Sequence, residues 1–252
     1  MEYIKGRNSV REALKSGRPV KEIIFLNGIK GDYVVSEIKL LAKDRGIYYH
    51  FADSKYIYSL VGEKHQGVIA LLENYNYLDL QELLQMILPE KDKVILALDC
   101  IQDPRNLGAI LRTAEGAGVS GLIIPEHRSA RITPVVEKSS AGALSYIPVA
   151  IVTNLNTAIL KLKESGFWIC GLSLSAESFY DQVDLTGPLC FVLGSEGKGL
   201  RNLVEKNCDF TVKIPMKGKI NSLNVSVACG IILYECLRQK TEKSKKKPRN
   251  PL

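Results

Sequence analysis

The chain has 252 residues, 46% apolar and 24% charged, with a formal net charge of +7. That length and balance fit one large globular domain or two ordinary ones. No apolar run reaches the roughly 18–20 residues of a membrane span, and the opening MEYIKGRNSVREAL lacks a signal-peptide core, so a cytoplasmic protein without a membrane segment is expected.

Residues 1–72 read as a small α/β unit. A helix over Ser9–Ser16 leads to the strand KEIIFL (21–26), a helix near Val34–Arg45 to the strand IYYHFA (47–52), and GVIALL (67–72) is a further strand. Residues 73–92 read as a linker with an amphipathic turn or two. From Lys93 short apolar strands alternate with helices. The strands are KVILALD (93–99), GLIIP (121–125), PVAIV (148–152), FWICGL (167–172), LCFVLG (189–194) and FTVKIP (210–215), with helices over Leu107–Ala117 and Leu155–Glu164. Such alternation predicts a mostly parallel sheet covered on both faces. The last helix, Leu223 to about Gln239, is apolar nearly all round in its first half, so it belongs in a core or a subunit interface. The charge is concentrated at the end: residues 238–252 hold seven Lys/Arg and one acid, and the rest holds 27 basic against 26 acidic residues. Residues 241–252 are expected to be a disordered basic tail, either an RNA-phosphate contact or a solubiliser.

None of the six cysteines forms a CxxC pair, and the three histidines have no zinc-ligand spacing, so reduced thiols and no metal site are expected. The chemistry must lie in three polar clusters at strand-to-helix junctions, where open α/β sheets bind ligands. The first is DPRNLGAILRTAEGAGV (103–119), with Asp103 as cap and Pro104 at the first helical position. Taken singly, Asn106 is a helix-start residue and Arg112 a solvated cation. The second is GSEGKGL (194–200), whose glycines admit a close ligand but match neither GxxxxGK[ST] nor GxGxxG. Glu196 alone reads as a loop acid. The third is IPMKGKINSLNVSVA (214–228), where Ser222 reads as a cap and Asn224 as a first-turn residue.

In order, spacing and preceding strand, the three clusters resemble the motifs of the SpoU-type (SPOUT superfamily, TrmH-like) RNA 2′-O-ribose methyltransferases. KSSAGALSYIPV (138–149) resembles the segment between the first two motifs, and GRNSVREAL (6–14) and HQGVIA (65–70) resemble the family's substrate-binding domain. The likeness runs over about residues 3–238. It implies an L30e-like RNA-binding domain over 1–72, a linker over 73–92 and a parallel-sheet SPOUT methyltransferase domain over 93–240 with a deep trefoil knot. It implies a homodimer using S-adenosylmethionine and no metal. Carried over by motif position, main-chain contacts to the methyl donor fall at Gly194, Ile214 and Leu223. Asn106, Arg112, Glu196, Ser222 and Asn224 take the catalytic or near-catalytic positions.

The motifs contain no histidine, and arginine is a poor base because it stays protonated. Arg112 is therefore expected to bind a phosphate and steady the developing alkoxide, with Glu196 orienting Arg112 or the loop. An RNA-binding scaffold without activity would have dropped Arg112, Glu196 or Asn224, and all three are present. A nucleotide-dependent enzyme would carry one of the missing glycine fingerprints. The N-terminal domain resembles that of the group methylating a guanosine of 23S ribosomal RNA, with transfer RNA as the second expectation.

Overall fold

The protein's structure, a computed structural model, describes residues 3–15, 19–72, 75–89, 93–219 and 222–246. The chain divides into two compact units between Asn76 and Tyr77.

In the first unit, β1 (Tyr3–Lys5), β2 (Val20–Leu26), β3 (Tyr48–Ala52) and β4 (Val68–Leu72) form a sheet of order β1-β4-β2-β3. Strands β2 and β3 run parallel, and the other pairs antiparallel. Period-two alternation sends Ile23 and Phe25 to one face and Ile24 to the other. The first face is covered by α1 (Arg7–Lys15) and α2 (Tyr33–Asp44) through Val10, Leu14, Val35 and Ile38. The second meets Ile57 of α3 (Ser54–Val61). Helix α3 escapes sequence reading because its centre is Tyr-Ile-Tyr, a strand-like triplet. Asp53 starts it by accepting from Tyr56 N–H at 2.7 Å.

In the stretch read as a linker, residues 73–92, the amphipathic turns form a helix, α4 (Leu80–Ile87), which packs into the core of the second unit through Leu80, Leu83 and Ile87; residues 73–74 and 90–92 lie outside the described residues. Asp79 and Glu82 form a capping box that starts α4. The remaining elements are β5 (Val94–Leu98), α5 (Pro104–Gly116), β6 (Gly121–Pro125), α6 (Pro134–Ser140), β7 (Val149–Val152), α7 (Leu155–Glu164), β8 (Trp168–Leu172), β9 (Ser178–Phe179), β10 (Leu189–Leu193), α8 (Asn202–Lys206), β11 (Phe210–Lys213) and α9 (Val225–Lys246). The strands form one sheet of order β7-β6-β5-β10-β8-β11-β9 with every neighbouring pair parallel. The chain builds outward from β5 to β7, then returns to build the other half. Adjacent β5 and β10 therefore mark the point where strand order reverses, which is where open α/β sheets place a ligand.

Helix α9 differs from expectation at both ends. It starts at Val225, after Asn224, and continues through part of the expected tail to Lys246. Lys and Glu favour helix, and Arg238 bridges Glu235 and Glu242 at 2.7 Å each, one turn back and one turn on. Lys243 also donates to Thr186 Oγ1 at 2.7 Å. Residues 247–252 of the expected tail lie outside the described residues. All six cysteines are free, and burial pushes the Cys229 thiol up to about 12. No helix among the described residues is long and apolar enough to cross a membrane.

Candidate active site

The loops after β5 and β10 bring the first two motifs together. Asp103 caps α5 by accepting from Arg105 N–H at 2.8 Å, which sets Asn106 on the first turn. Asn106 Nδ2 donates to Glu196 Oε1 at 2.9 Å. Asn224 Nδ2 donates to the same oxygen at 2.7 Å and to Asn106 Oδ1 at 3.0 Å, and Val225 N–H reaches Glu196 Oε1 at 3.4 Å. One carboxylate oxygen thus ties three distant chain segments together, and charge-assisted bonds of this kind are the strong ones. Asn224 also caps α9, since its Oδ1 accepts from Ser226 N–H at 2.9 Å. This corrects the sequence expectation for this segment: Asn224 is the cap, and Ser222 is an exposed residue ahead of it. Ile220 and Asn221 of the third motif lie outside the described residues.

Arg112 does not join this group. It follows Asn106 by six helical positions, about 9 Å along the axis and about 240° around it. It is exposed and, among the described residues, has no hydrogen-bond or ion-pair partner. Of the two expected partners of Glu196, Arg112 or the loop, no bond to Arg112 is seen among the described residues; Glu196 ties its loop to the two asparagines and the start of α9.

Beside Glu196 lies a cavity of about 340 Å³ at the carboxyl ends of β8, β10 and β11, within the usual size of small-molecule sites. Gly194, Ile214 and Leu223 line it, with Glu196 and Ser222. Gly194 has a reason that the sequence did not reveal. A Cβ there would stand 2.1 Å from the Gly199 carbonyl carbon and 2.4 Å from Leu200 N. The close approach is by the chain itself. Ser195 and Gly199 exchange both N–H···O bonds, at 3.1 and 2.9 Å, and close the loop, while Gly197 and Gly199 supply its positive φ angles of 80° and 67°.

Sequence reading also missed Asp99, which is fully buried at the end of β5. It accepts from Arg201 N–H at 2.9 Å and Arg201 Nε at 2.7 Å, anchoring the chain just past the glycine loop. An acid closing the apolar run VILAL was the available signal, because such a residue is rarely buried unpaired. Arg201→Ala removes one of its donors. The variant should lose about 1–2 kcal/mol, the lower part of the range for a deprived buried acceptor, since the backbone N–H remains and the guanidinium is half in solvent. Urea unfolding checks this, and an unchanged midpoint would refute it.

The model of the SpoU rRNA Methylase family matches residues 93–234, and a model for RNA 2′-O ribose methyltransferase substrate binding matches residues 3–78. The chain belongs to the SpoU rRNA methylase family. Its relatives include a Staphylococcus aureus (strain COL) protein named as a TrmH family tRNA/rRNA methyltransferase, 42% identical over 241 residues that cover 94% of this chain and 96% of the relative. The Bacillus subtilis (strain 168) relative YacO, of the same family name, is 40% identical and covers 95% of this chain and 96% of its own length. Among solved structures, the SpoU methyltransferase AviRb of Streptomyces viridochromogenes in complex with AdoMet superposes with a TM-score of 0.63 at 25% identity, covering 95% of this chain and 90% of that one. An AdoMet-bound rRNA methyltransferase from Sinorhizobium meliloti gives 0.63 at 26% identity over 94% and 86%. The SpoU methylase domain of this chain therefore holds the three-segment hydrogen-bonded group and the adjoining cavity, and its partner domain is the substrate-binding one.

Proposed function

We propose that this SpoU methylase methylates the ribose 2′-hydroxyl of a guanosine in 23S ribosomal RNA, with S-adenosylmethionine as donor. The reaction class follows from the family: an S-adenosylmethionine-dependent RNA 2′-O-methyltransferase. The observation that supports ribosomal RNA is the reach of the likeness. The S. meliloti rRNA methyltransferase structure covers 94% of this chain, N-terminal domain included. The A. aeolicus TrmH/SpoU tRNA modifying enzyme, although 35% identical, covers 66% of it. That higher identity favours transfer RNA as the second reading. Guanosine and 23S come from the sequence resemblance to that group. Mapping 2′-O-methylation in total RNA from a deletion strain against wild type tests both readings. Loss of one 23S guanosine mark is expected. A mark lost from tRNA alone would select the second reading, and no lost mark would reject both.

The residues of the cavity fit the donor. It has apolar walls at Leu193, Ile214 and Leu223 for a flat ring, and polar side chains around them for the donor's hydrogen-bonding groups. Gly194, Ile214 and Leu223 would hold the donor through main-chain groups. The donor supplies an already activated methyl electrophile. The protein's own task is to hold a ribose hydroxyl in place and ease the loss of its proton. Positioning can supply several kcal/mol, up to roughly 7–11 in ideal cases. Glu196, Asn106 and Asn224 keep the loop fixed beside the donor, with Ser222 at the rim. Arg112 grips the neighbouring phosphate and steadies negative charge on the 2′ oxygen, and the proton leaves through that phosphate or a water. Its exposure and lack of a local partner support service in the second subunit's site of a homodimer. Val227 and Tyr234 on α9, each about half exposed, are apolar surface for that dimer. We read the tight packing of Gly194 against residues 199–200 as part of a knot, the N-terminal unit as an L30e-like RNA-binding domain, and the cytoplasm as the place of action.

The C-terminal cations add a testable term. Removing residues 243–252, which carry Lys243, Lys245, Lys246, Lys247 and Arg249, should weaken RNA binding mainly at low salt. The salt slope should fall by roughly 0.7–0.9 for each phosphate that these cations neutralise, with donor binding intact. An unchanged slope in filter binding would make the segment a solubiliser only.

A further inference from the structure

The cavity has a second acidic side chain, outside the group around Glu196. Glu205, on α8, lines the wall shared with the segment after β8, and Ser173 and Ser175 line the same wall. Ser175 Oγ lies 3.0 Å from Glu205 Oε1 and 2.8 Å from Ser173 Oγ. A carboxylate only accepts, so Ser175 donates to Glu205 and Ser173 in turn donates to Ser175. Ser175 N–H also donates to Ser173 Oγ at 3.3 Å, which holds the turn. Among the described residues, Glu205 Oε2 has no hydrogen-bond partner. Glu196, by contrast, takes three donors from the protein itself. The wall after β8 therefore offers an oriented carboxylate with spare capacity, suited to a ligand group that donates.

We infer that Glu205, steadied by Ser175, accepts a hydrogen bond from the ribose diol of the adenosyl methyl donor and sets the donor's affinity. The inference rests on S-adenosylmethionine being the ligand of this cavity. That molecule has three kinds of donor group: an aromatic amine, two ribose hydroxyls and an ammonium. The ring amine sits on a broad flat base, suited to the apolar walls of the cavity. The ammonium donates only, and it would share the cavity with Lys198 and Lys213, whose like charges work against it. Ribose hydroxyls both donate and accept. They match a wall that mixes a carboxylate with serine hydroxyls, and acidic side chains hold ribose hydroxyls in other nucleotide-binding folds. The role is a positioning one: Glu205 touches the donor and takes no part in the methyl transfer.

Calorimetry on the full chain tests this with two ligands, S-adenosylhomocysteine and 5′-methylthioadenosine, which lacks the amino-acid arm and keeps the ribose diol. Glu205→Ala is expected to weaken both by the same factor, about 10- to 100-fold, the loss of a hydrogen bond to a charged group. Glu205→Gln, which keeps one acceptor, should recover part of it. An analogue of 5′-methylthioadenosine without the ribose hydroxyls should bind wild type correspondingly weakly and be indifferent to Glu205→Ala. Equal affinity of Glu205→Ala and wild type for 5′-methylthioadenosine would overturn the inference. So would a loss confined to S-adenosylhomocysteine, which would put Glu205 on the ammonium. If Glu205→Ala fails to fold, Glu205→Gln decides the matter: a loss for 5′-methylthioadenosine that disappears with the deoxy analogue is expected, and an affinity equal to wild type for 5′-methylthioadenosine would overturn the inference. Wild type that binds neither ligand would remove the donor assignment itself, a result distinct from a failure of the Glu205 hydrogen bond.

Discussion

Arg112→Ala is expected to lower methyl transfer by at least about 10²–10³-fold, the usual loss for one preorganised charge-stabilising donor, while S-adenosylhomocysteine binds within about twofold of wild type. The two readouts separate because Arg112 lies outside the cavity lining and away from the Asn106–Glu196–Asn224 group. Arg112→Lys should rescue poorly, since an ammonium lacks the planar fork that spans a phosphate and a hydroxyl together. Mixed dimers sharpen the test. One subunit carries Arg112→Ala and the other a blocked cavity. If Arg112 serves the partner's site, the Arg112→Ala subunit keeps a working cavity, borrows its arginine from the other, and one site per dimer survives. If Arg112 serves its own site, neither site is complete. Activity near zero in verified mixed dimers would therefore sink the cross-subunit reading and leave the reaction class untouched.

Gly194→Ala is expected to abolish donor binding, by more than about 100-fold, and to cost about 3 kcal/mol of stability, the upper end for overpacking. The added methyl meets backbone atoms of Gly199 and Leu200 at 2.1 to 2.4 Å, and backbone cannot step aside as a rotamer can. Since the same loop lines the cavity, relaxation of the strain moves the main chain that would hold the donor. Gly197→Ala is the control. Its Cβ would meet nothing within 4 Å, so only its φ of 80° is opposed. The cost there should be about 1 kcal/mol, with donor affinity nearly kept. Calorimetry and urea unfolding of the pair check this. Equal behaviour of the two variants would show that the approach of residues 199–200 to Gly194 has no bearing on the site.

Most strands and the longer helices are legible in the sequence as short apolar runs, such as IIFL, VILAL and LCFVL, set between polar and turn residues, whereas the short β1 and β9 and helix α3 are not. The sequence by itself also determined which residues had to be explained, since polar clusters after buried strands are conspicuous, and their spacing carried the family. Other features were legible only in part or not at all. Helix α4 shows in the sequence only as an amphipathic turn or two within a linker, because LQELLQMI is too short to show a firm period and its burial depends on Leu83 and Ile87 finding a sheet built by later residues. Asp99 gave no sign of its partner, because Arg201 is 102 positions away and only the β5–β10 pairing brings them within 2.7 Å. Only the fold brings Glu196 to Asn106 and Asn224, and only the fold shows that residues 199–200 pack against Gly194 and leave no room for a Cβ there. These are relations between strand ends, and a one-dimensional pattern holds the residues of each strand end but not the distance between two of them.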